Sequence, residues 1–274
     1  MSVAKVGDIN LYYEIYGSGE PLVLIMGIGL HGGHWYAIQD KLAEEYRVVV
    51  LDNRGTGQSD KPEIPYTAKM MARDVAGLMD VLGIGAANVF GFSMGGMIAQ
   101  EFALNYAERL NGLILGGTFC GGTKAVQATP EAMAYLLDPE RAKQSEEDKA
   151  RCAIPWILSK EFVENNPAVI ERLIAISVKY PTPPKAFVSQ GNAILTHDTY
   201  DRLPDIKAPT LVIAGSADRL MPCDNSKLLA SRIPNAELAM IENAGHRFFT
   251  DSTEKASRII LDFLRRHSKA RANN

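Results

Sequence analysis

Apolar runs and amphipathic stretches alternate through the first part of the chain. Ile9 to Tyr16 alternates apolar with polar side chains, as a half-exposed strand does, and ends in the turn Gly17-Ser18-Gly19. Pro21-Leu22-Val23-Leu24-Ile25-Met26 and Arg47-Val48-Val49-Val50-Leu51 are instead continuous apolar runs. They are closed by Gly27 and by Asp52-Asn53-Arg54-Gly55, and they suit strands buried on both faces. Trp35 to Glu45, between them, reads as a helix. Met71, Val75, Leu78 and Leu82 recur at helical spacing between Thr67 and Gly83. Asn88-Val89-Phe90 leads through Gly91 into a helical stretch from Ser93 to Ala107, and Leu110 to Leu115 is a further short apolar run. Strand and helix repeated in this order imply a parallel sheet with helices on both faces.

The alternation stops near Thr118. From there to Ala208 the pattern gives helical patches broken by Pro130, Pro139, Pro155, Pro167 and Pro181-Thr182-Pro183-Pro184. Pro209 to Gly215 resumes the buried-strand pattern, followed by a helix over Asp224 to Arg232 and a last strand over Glu237 to Ile241. In the closing helix Ala256, Ile259, Ile260, Phe263 and Leu264 share one face, with Asp251 and Glu254 read as its N-terminal cap. The expected architecture is α/β: a core domain of 1–117 and 209–274, interrupted by a helical insertion over 118–208.

Composition changes this picture mainly by exclusion. The 274 residues are 46% apolar and 22% charged, which rules out disorder, collagen and coiled coil as the main architecture. A chain this long buries a full core without disulfide or metal staples. Net charge is −3 and no basic block exceeds Arg265-Arg266-His267, so no nucleic-acid partner is expected. Cys120, Cys152 and Cys223 are scattered and form no C-x-x-C pair, which argues against a disulfide framework and a structural zinc site. Gly7 and Asp8 stand where a signal peptide needs an apolar run, and the longest apolar stretch, from Leu22 to Leu30, is far short of the ~20 residues that span a bilayer. The expectation is a soluble, cytoplasmic protein with no membrane partner.

The candidate chemistry centres on Gly91-Phe92-Ser93-Met94-Gly95, a G-x-S-x-G pentapeptide between a buried-strand run and a helix. A sharp turn there holds the serine in a strained conformation at a helix N-terminus, where free N–H groups favour developing negative charge. The plainer reading is a glycine-rich turn with an idle serine. A serine hydroxyl needs a base. Of the five histidines, His246 follows the last strand, at the carboxyl edge where open α/β sheets bind ligands. His267 lies in the charged tail of the last helix, His197 in the insertion, and His31 and His34 lack a third metal ligand. Asp218 follows the resumed strand and is suited to orient His246, its plainer reading being a helix cap; Asp198 and Asp205 are weaker rivals. The order Ser…Asp…His is that of α/β-hydrolases.

Five segments together resemble the α/β-hydrolase family over nearly the whole chain: Met26-Gly27-Ile28-Gly29, Asp52 to Ser59, Gly91 to Gly96, Gly215-Ser216-Ala217-Asp218 and Gly245-His246. The nearest likeness is to its small cofactor-free branch of carboxylesterases, enol-lactonases and non-haem haloperoxidases. That resemblance implies catalytic Ser93, Asp218 and His246, with an oxyanion hole formed by the backbone N–H groups of Ile28 and Met94. Met26-Gly27 stands where the family often has His-Gly, so a side-chain contact that orders this loop is missing. The insertion resembles a helical lid, in which Phe119, Met133, Leu136, Trp156, Ile157 and Phe162 supply apolar surface, most of it for the lid's own core. Trp156, Leu220, Met221 and Phe248 are expected to line an apolar pocket, with His31 and Trp35 at its mouth.

The implied function is a serine hydrolase of the carboxylesterase or lactonase type. It would cleave a small ester or lactone with an apolar acyl part through an acyl-enzyme, with no cofactor and no metal. Relatives with an aspartate nucleophile are disfavoured by Ser93. Carbon–carbon bond hydrolases come second, with Phe92 before the serine and Arg247 after the histidine as departures. A ligand-binding receptor with residual hydrolysis is the reading from another class, and halogenation or perhydrolysis is treated as a side activity. Oligomeric state stays open.

Overall fold

The computed structural model describes residues 2–267. In chain order its elements are β1 (Ser2–Val6), β2 (Ile9–Tyr16), β3 (Glu20–Ile25), α1 (Gln39–Ala43), β4 (Tyr46–Leu51), α2 (Ala68–Val81), β5 (Ala87–Phe92), α3 (Met94–Asn105) and β6 (Leu110–Gly116). After β6 come α4 (Pro130–Leu136), α5 (Glu146–Ile157), α6 (Lys160–Asn165), α7 (Pro167–Lys179) and α8 (Pro184–Leu195). The chain closes with β7 (Thr210–Gly215), α9 (Asp224–Arg232), β8 (Ala236–Ile241), α10 (Phe248–Asp251) and α11 (Thr253–His267).

One eight-stranded sheet runs in the order β1-β2-β4-β3-β5-β6-β7-β8. β1 and β2 pair antiparallel, as do β2 and β4, and every other pairing is parallel. This is a mostly parallel α/β sheet with helices on both faces. Leu22 to Ile25 of β3 are buried and all apolar because both faces of the strand are covered. Val23 and Ile25 join the cluster holding Met71, Val75 and Met97 of α2 and α3. Leu22 and Leu24 join the opposite cluster with Leu42 of α1 and Ile260 and Phe263 of α11. β4 lies on one side of β3 and β5 on the other, so the loops after β3 and β5 part at a topological switch point, the place where such sheets bind ligands. The register Ile25↔Gly91 brings the segment after Ile25 level with Ser93.

Between β6 and β7 the described residues add no strand to the sheet. Each helix in this stretch starts on a local signal. Thr129, Ser145 and Ser159 cap α4, α5 and α6 through their hydroxyls, and α7 and α8 begin with proline. Ile154, Leu158 and Leu173 form a small core there, against which Tyr36 packs. The segment leaves and rejoins the sheet side by side, through the antiparallel bridge Gly121↔Asp198. No helix among the described residues is long and apolar enough to cross a membrane.

Two local expectations are corrected. The helix read over Trp35 to Glu45 is a 3-10 turn over Gly32–Trp35 followed by the short α1, because the Trp35 ring is drawn between Phe90 and Phe249. Asp251 does not cap α11: it belongs to α10, and its carboxylate accepts from Gly245 N–H and Ser159 N–H. Ser2 to Val6, to which the side-chain pattern assigns no element, form the edge strand β1.

Candidate active site

Ser93 sits between β5 and α3 with φ +56 and ψ −121, a conformation that costs a non-glycine residue roughly 1–3 kcal/mol. The surroundings hold it there. Its N–H donates to Gly116 O at 2.8 Å, and its carbonyl accepts from Gly96 N–H at 2.9 Å and Thr118 Oγ1 at 2.7 Å. Both glycines of the pentapeptide are sterically required. A Cβ at Gly95 would stand 2.0 Å from Ile25 O, and one at Gly91 would stand 2.2 Å from Gly95 O. Gly27 faces the serine from the next strand end, where a Cβ would come within 3.1 Å of Ser93 Cβ.

His246 follows β8, is 5% exposed, and lies over the ring of Phe92 with centroids 4.8 Å apart. The chain neighbour of the serine therefore carries the imidazole. His246 Nδ1 donates to Asp218 Oδ2 at 2.6 Å, and the Asp218 side chain is fully buried. The remaining oxygen of Asp218 accepts from Leu220 N–H at 2.9 Å and Met221 N–H at 2.8 Å. This carboxylate acts across the loop on the imidazole rather than only as a local turn residue. With Nδ1 committed to Asp218, the Nε2 lone pair of the neutral ring is left to take a proton.

Two backbone N–H groups flank Ser93. Met94 is the first residue of α3, where intrahelical pairing is geometrically closed to its N–H. Ile28 N–H donates to no protein group among the described residues, while the turn around it is pinned on each side. Asn53 Nδ2 donates to Met26 O at 2.9 Å, and Gly29 N–H donates to Gln190 Oε1 at 2.8 Å.

The expected pocket residues divide. Trp35 is 0% exposed, packed among Phe90, Phe92 and Phe249, so it belongs to the core rather than to a pocket mouth. Phe248 is likewise buried, against Phe92 and Phe249. His31 is also withdrawn from a mouth: its Nδ1 accepts from Gly33 N–H, and its Nε2 donates to Ile176 O at 3.0 Å. Leu220 and Met221 are partly buried beside Asp218. Trp156 is partly buried too, stacked on Tyr135, with the Arg219 guanidinium over its ring at 4.2 Å from the centroid. His197 is buried in the bridge between the two ends of the helical segment, and His267 lies by Glu237, so neither competes with His246.

The sequence does not show the supporting roles of several residues around the site. Asp52 accepts from Gly32 N–H and Gln58 N–H, which stabilises its charge, although burial pushes its carboxyl pKa up overall. Asp251 ties the Gly245-His246 turn to Ser159, and its pKa is also raised by burial. Arg247 is 1% exposed and bonds both His34 Nδ1 and His34 O; burial lowers its pKa to about 10. His34 is held neutral by burial and by that guanidinium. Only Asp52, at the end of an apolar run, carried a local signal.

Comparison with known proteins agrees with this frame. A profile described as alpha/beta hydrolase fold matches residues 20–253. The chain is 30% identical over 263 residues to RutD of Azorhizobium caulinodans, a protein named for carbamate hydrolysis, covering 96% of this chain and 98% of that one. It is 32% identical over 274 residues to a 2-hydroxy-6-oxononadienedioate/2-hydroxy-6-oxononatrienedioate hydrolase of Burkholderia vietnamiensis, covering 94% and 92%. A thermophilic esterase from Thermogutta terrifontis is structurally similar at a TM-score of 0.85 and 31% identity, covering 98% of this chain and 100% of that one. The chain belongs to the alpha/beta hydrolase fold family and is a hydrolase of that fold.

Proposed function

We propose that the protein is a serine hydrolase that cleaves a carboxylic ester or lactone through an acyl-enzyme. One observation carries this reading: the 2.6 Å contact between Asp218 and His246, whose ring packs at a tilt against the residue preceding a strained serine. Ser93 Oγ attacks the carbonyl carbon while its proton passes to His246 Nε2. The resulting imidazolium is stabilised by Asp218, and the oxyanion by Ile28 N–H and Met94 N–H, each such donor being worth about 2.7–4 kcal/mol. His246 then returns the proton to the leaving alkoxide. Water, deprotonated by the same histidine, attacks the acyl-enzyme and releases the acid and Ser93.

In this reading residues 118–208 form a cap domain over a core of 1–117 and 209–274. In the same reading Leu220 and Met221, whose N–H groups hold Asp218, line an apolar acyl pocket with Trp156, which favours a small substrate with one polar focus. The test is hydrolysis of a panel of p-nitrophenyl esters and lactones by wild type and Ser93→Ala. Turnover lost with the serine supports the assignment, and undiminished turnover by the variant would sink it.

The likeness to the dienedioate hydrolase favours a second reading, hydrolysis of a carbon–carbon bond by the same residues. A vinylogous diketone turned over faster than any ester in the panel would move that reading to first place.

A further inference from the structure

An oxyanion hole works only if its donors are held in place before the reaction begins. Met94 N–H is fixed by α3. Ile28 N–H has no such frame, because it lies in the turn Gly27-Ile28-Gly29-Leu30, closed by a weak Leu30 N–H to Gly27 O bond at 3.4 Å. Gly29 has φ +70, the third-position signature of a type II turn. Rotating the Ile28–Gly29 peptide by half a turn would convert it towards type I, changing ψ of Ile28 and φ of Gly29 and loosening the support of the adjoining Gly27–Ile28 peptide, which carries the Ile28 N–H.

That peptide is held by a residue from the other side of the site. Gln190 of α8 is 0% exposed, and both ends of its amide are used. Oε1 accepts from Gly29 N–H at 2.8 Å, and Nε2 donates to Arg54 O at 2.8 Å. Gln190 therefore bridges the loops after β3 and β4, two neighbouring strand ends. Thr182 Oγ1, just before α8, donates to Gly29 O at 3.0 Å and fixes the next peptide. α8 has independent anchors: Asn192 Nδ2 donates to Tyr66 O at 2.9 Å, and Tyr66 N–H to Ser189 O at 3.3 Å. Gln190 is thus not required simply to attach the helix.

We infer that Gln190 is a positioning residue: it locks the Gly27–Leu30 turn so that Ile28 N–H points at the developing oxyanion, making the helical segment part of the hole's construction. This rests on the roles proposed above for Ser93 and Ile28. Gln190→Met removes both bonds at similar length. Gln190→Glu keeps the acceptor for Gly29 N–H but, when ionised, opposes the Arg54 carbonyl; when protonated it again offers one acceptor and one donor.

The experiment measures kcat and KM for p-nitrophenyl butyrate, inhibition by an alkyl trifluoromethyl ketone, and Tm, across pH, for wild type and both variants. Gln190→Met is expected to lower kcat by about 10- to 100-fold, with KM nearly unchanged. Affinity for the trifluoromethyl ketone, whose serine adduct places an oxyanion in the hole, should weaken by a similar factor. Relative to wild type at the same pH, Gln190→Glu should recover as pH falls while Gln190→Met stays flat. A change in KM alone, an unchanged response to the ketone, or a lowered Tm with wild-type kcat would overturn the inference. If Gln190→Met does not fold, the pH-dependent ratio of Gln190→Glu decides. Loss of activity in Ser93→Ala alongside wild-type turnover in both Gln190 variants would remove only this inference. Activity retained by Ser93→Ala would remove the reading beneath it.

Discussion

Asp218 is shared between a turn and a histidine: Oδ1 accepts from the N–H groups of Leu220 and Met221, and Oδ2 lies 2.6 Å from His246 Nδ1. The turn fixes the carboxylate, and the carboxylate fixes the imidazole tautomer. Asp218→Asn keeps the shape and an acceptor for the turn but offers His246 an NH2 group, which favours the tautomer protonated at Nε2. We expect kcat to fall by about 10³- to 10⁴-fold with an unchanged Tm. Steady-state kinetics check this, and a loss under tenfold would remove Asp218 from the proposed triad.

Asp251 anchors the backbone that presents His246. Asp251→Ala frees Gly245 N–H and Ser159 N–H, and should cost about 1–3 kcal/mol of stability together with a fall in kcat. Asp224→Ala, whose ion pair with Lys227 is exposed, should change stability by less than about 0.5 kcal/mol. Urea unfolding of the two variants compares them, and equal effects would mean that Asp251 contributes no more than a surface charge.

His197 makes the fold sensitive to acid. It is 4% exposed and burial lowers its pKa from 6.5 to about 4; Glu101 and Asp198 oppose that shift, while Arg202 adds to it. The unfolded chain therefore takes up a proton at a pH where the folded chain does not. The associated stability is fully present above about pH 6.5 and is lost as pH falls towards about 4. Between pH 7 and pH 4.5 this group alone should withdraw about 2–3 kcal/mol. His197→Gln should lose correspondingly less over that interval by urea unfolding, and parallel losses would show that the imidazole stays neutral for no energetic consequence.

Two glycines should respond in opposite directions to the same change. Gly95→Ala drives a Cβ to 2.0 Å from Ile25 O, so the strand-to-helix turn must open; we expect a loss of several kcal/mol and of activity. Gly191, inside α8, has no atom within 4 Å of an added Cβ, so Gly191→Ala should gain roughly 0.5–1 kcal/mol. Thermal unfolding distinguishes them; a tolerated Gly95→Ala would show that the turn relaxes at little cost.

What the sequence disclosed followed from how local the physics was. Gly91, Ser93 and Gly95 are legible because the steric need lies within the pentapeptide and at the strand beside it. Asp218 and His246 are legible because parallel strands deliver the residues after them to one edge. Asp251 reads as a helix cap in the sequence because its two actual partners, Gly245 and Ser159, lie outside its own helix and no cap motif encodes them. The sequence suggests a pocket mouth for Trp35, whereas aromatic packing against Phe90 and Phe249 takes it into the core. Gln190 looks like any polar helix residue until the tertiary fold brings it against Gly29.

The most direct test of the central claim is intact-mass measurement after exposure to a fluorophosphonate, comparing wild type with Ser93→Ala. The probe reports an activated serine without a choice of substrate. We expect one stoichiometric adduct on wild type and none on the variant. Folded wild type that takes up no probe, or a variant that labels equally, would contradict the assignment of Ser93 as nucleophile.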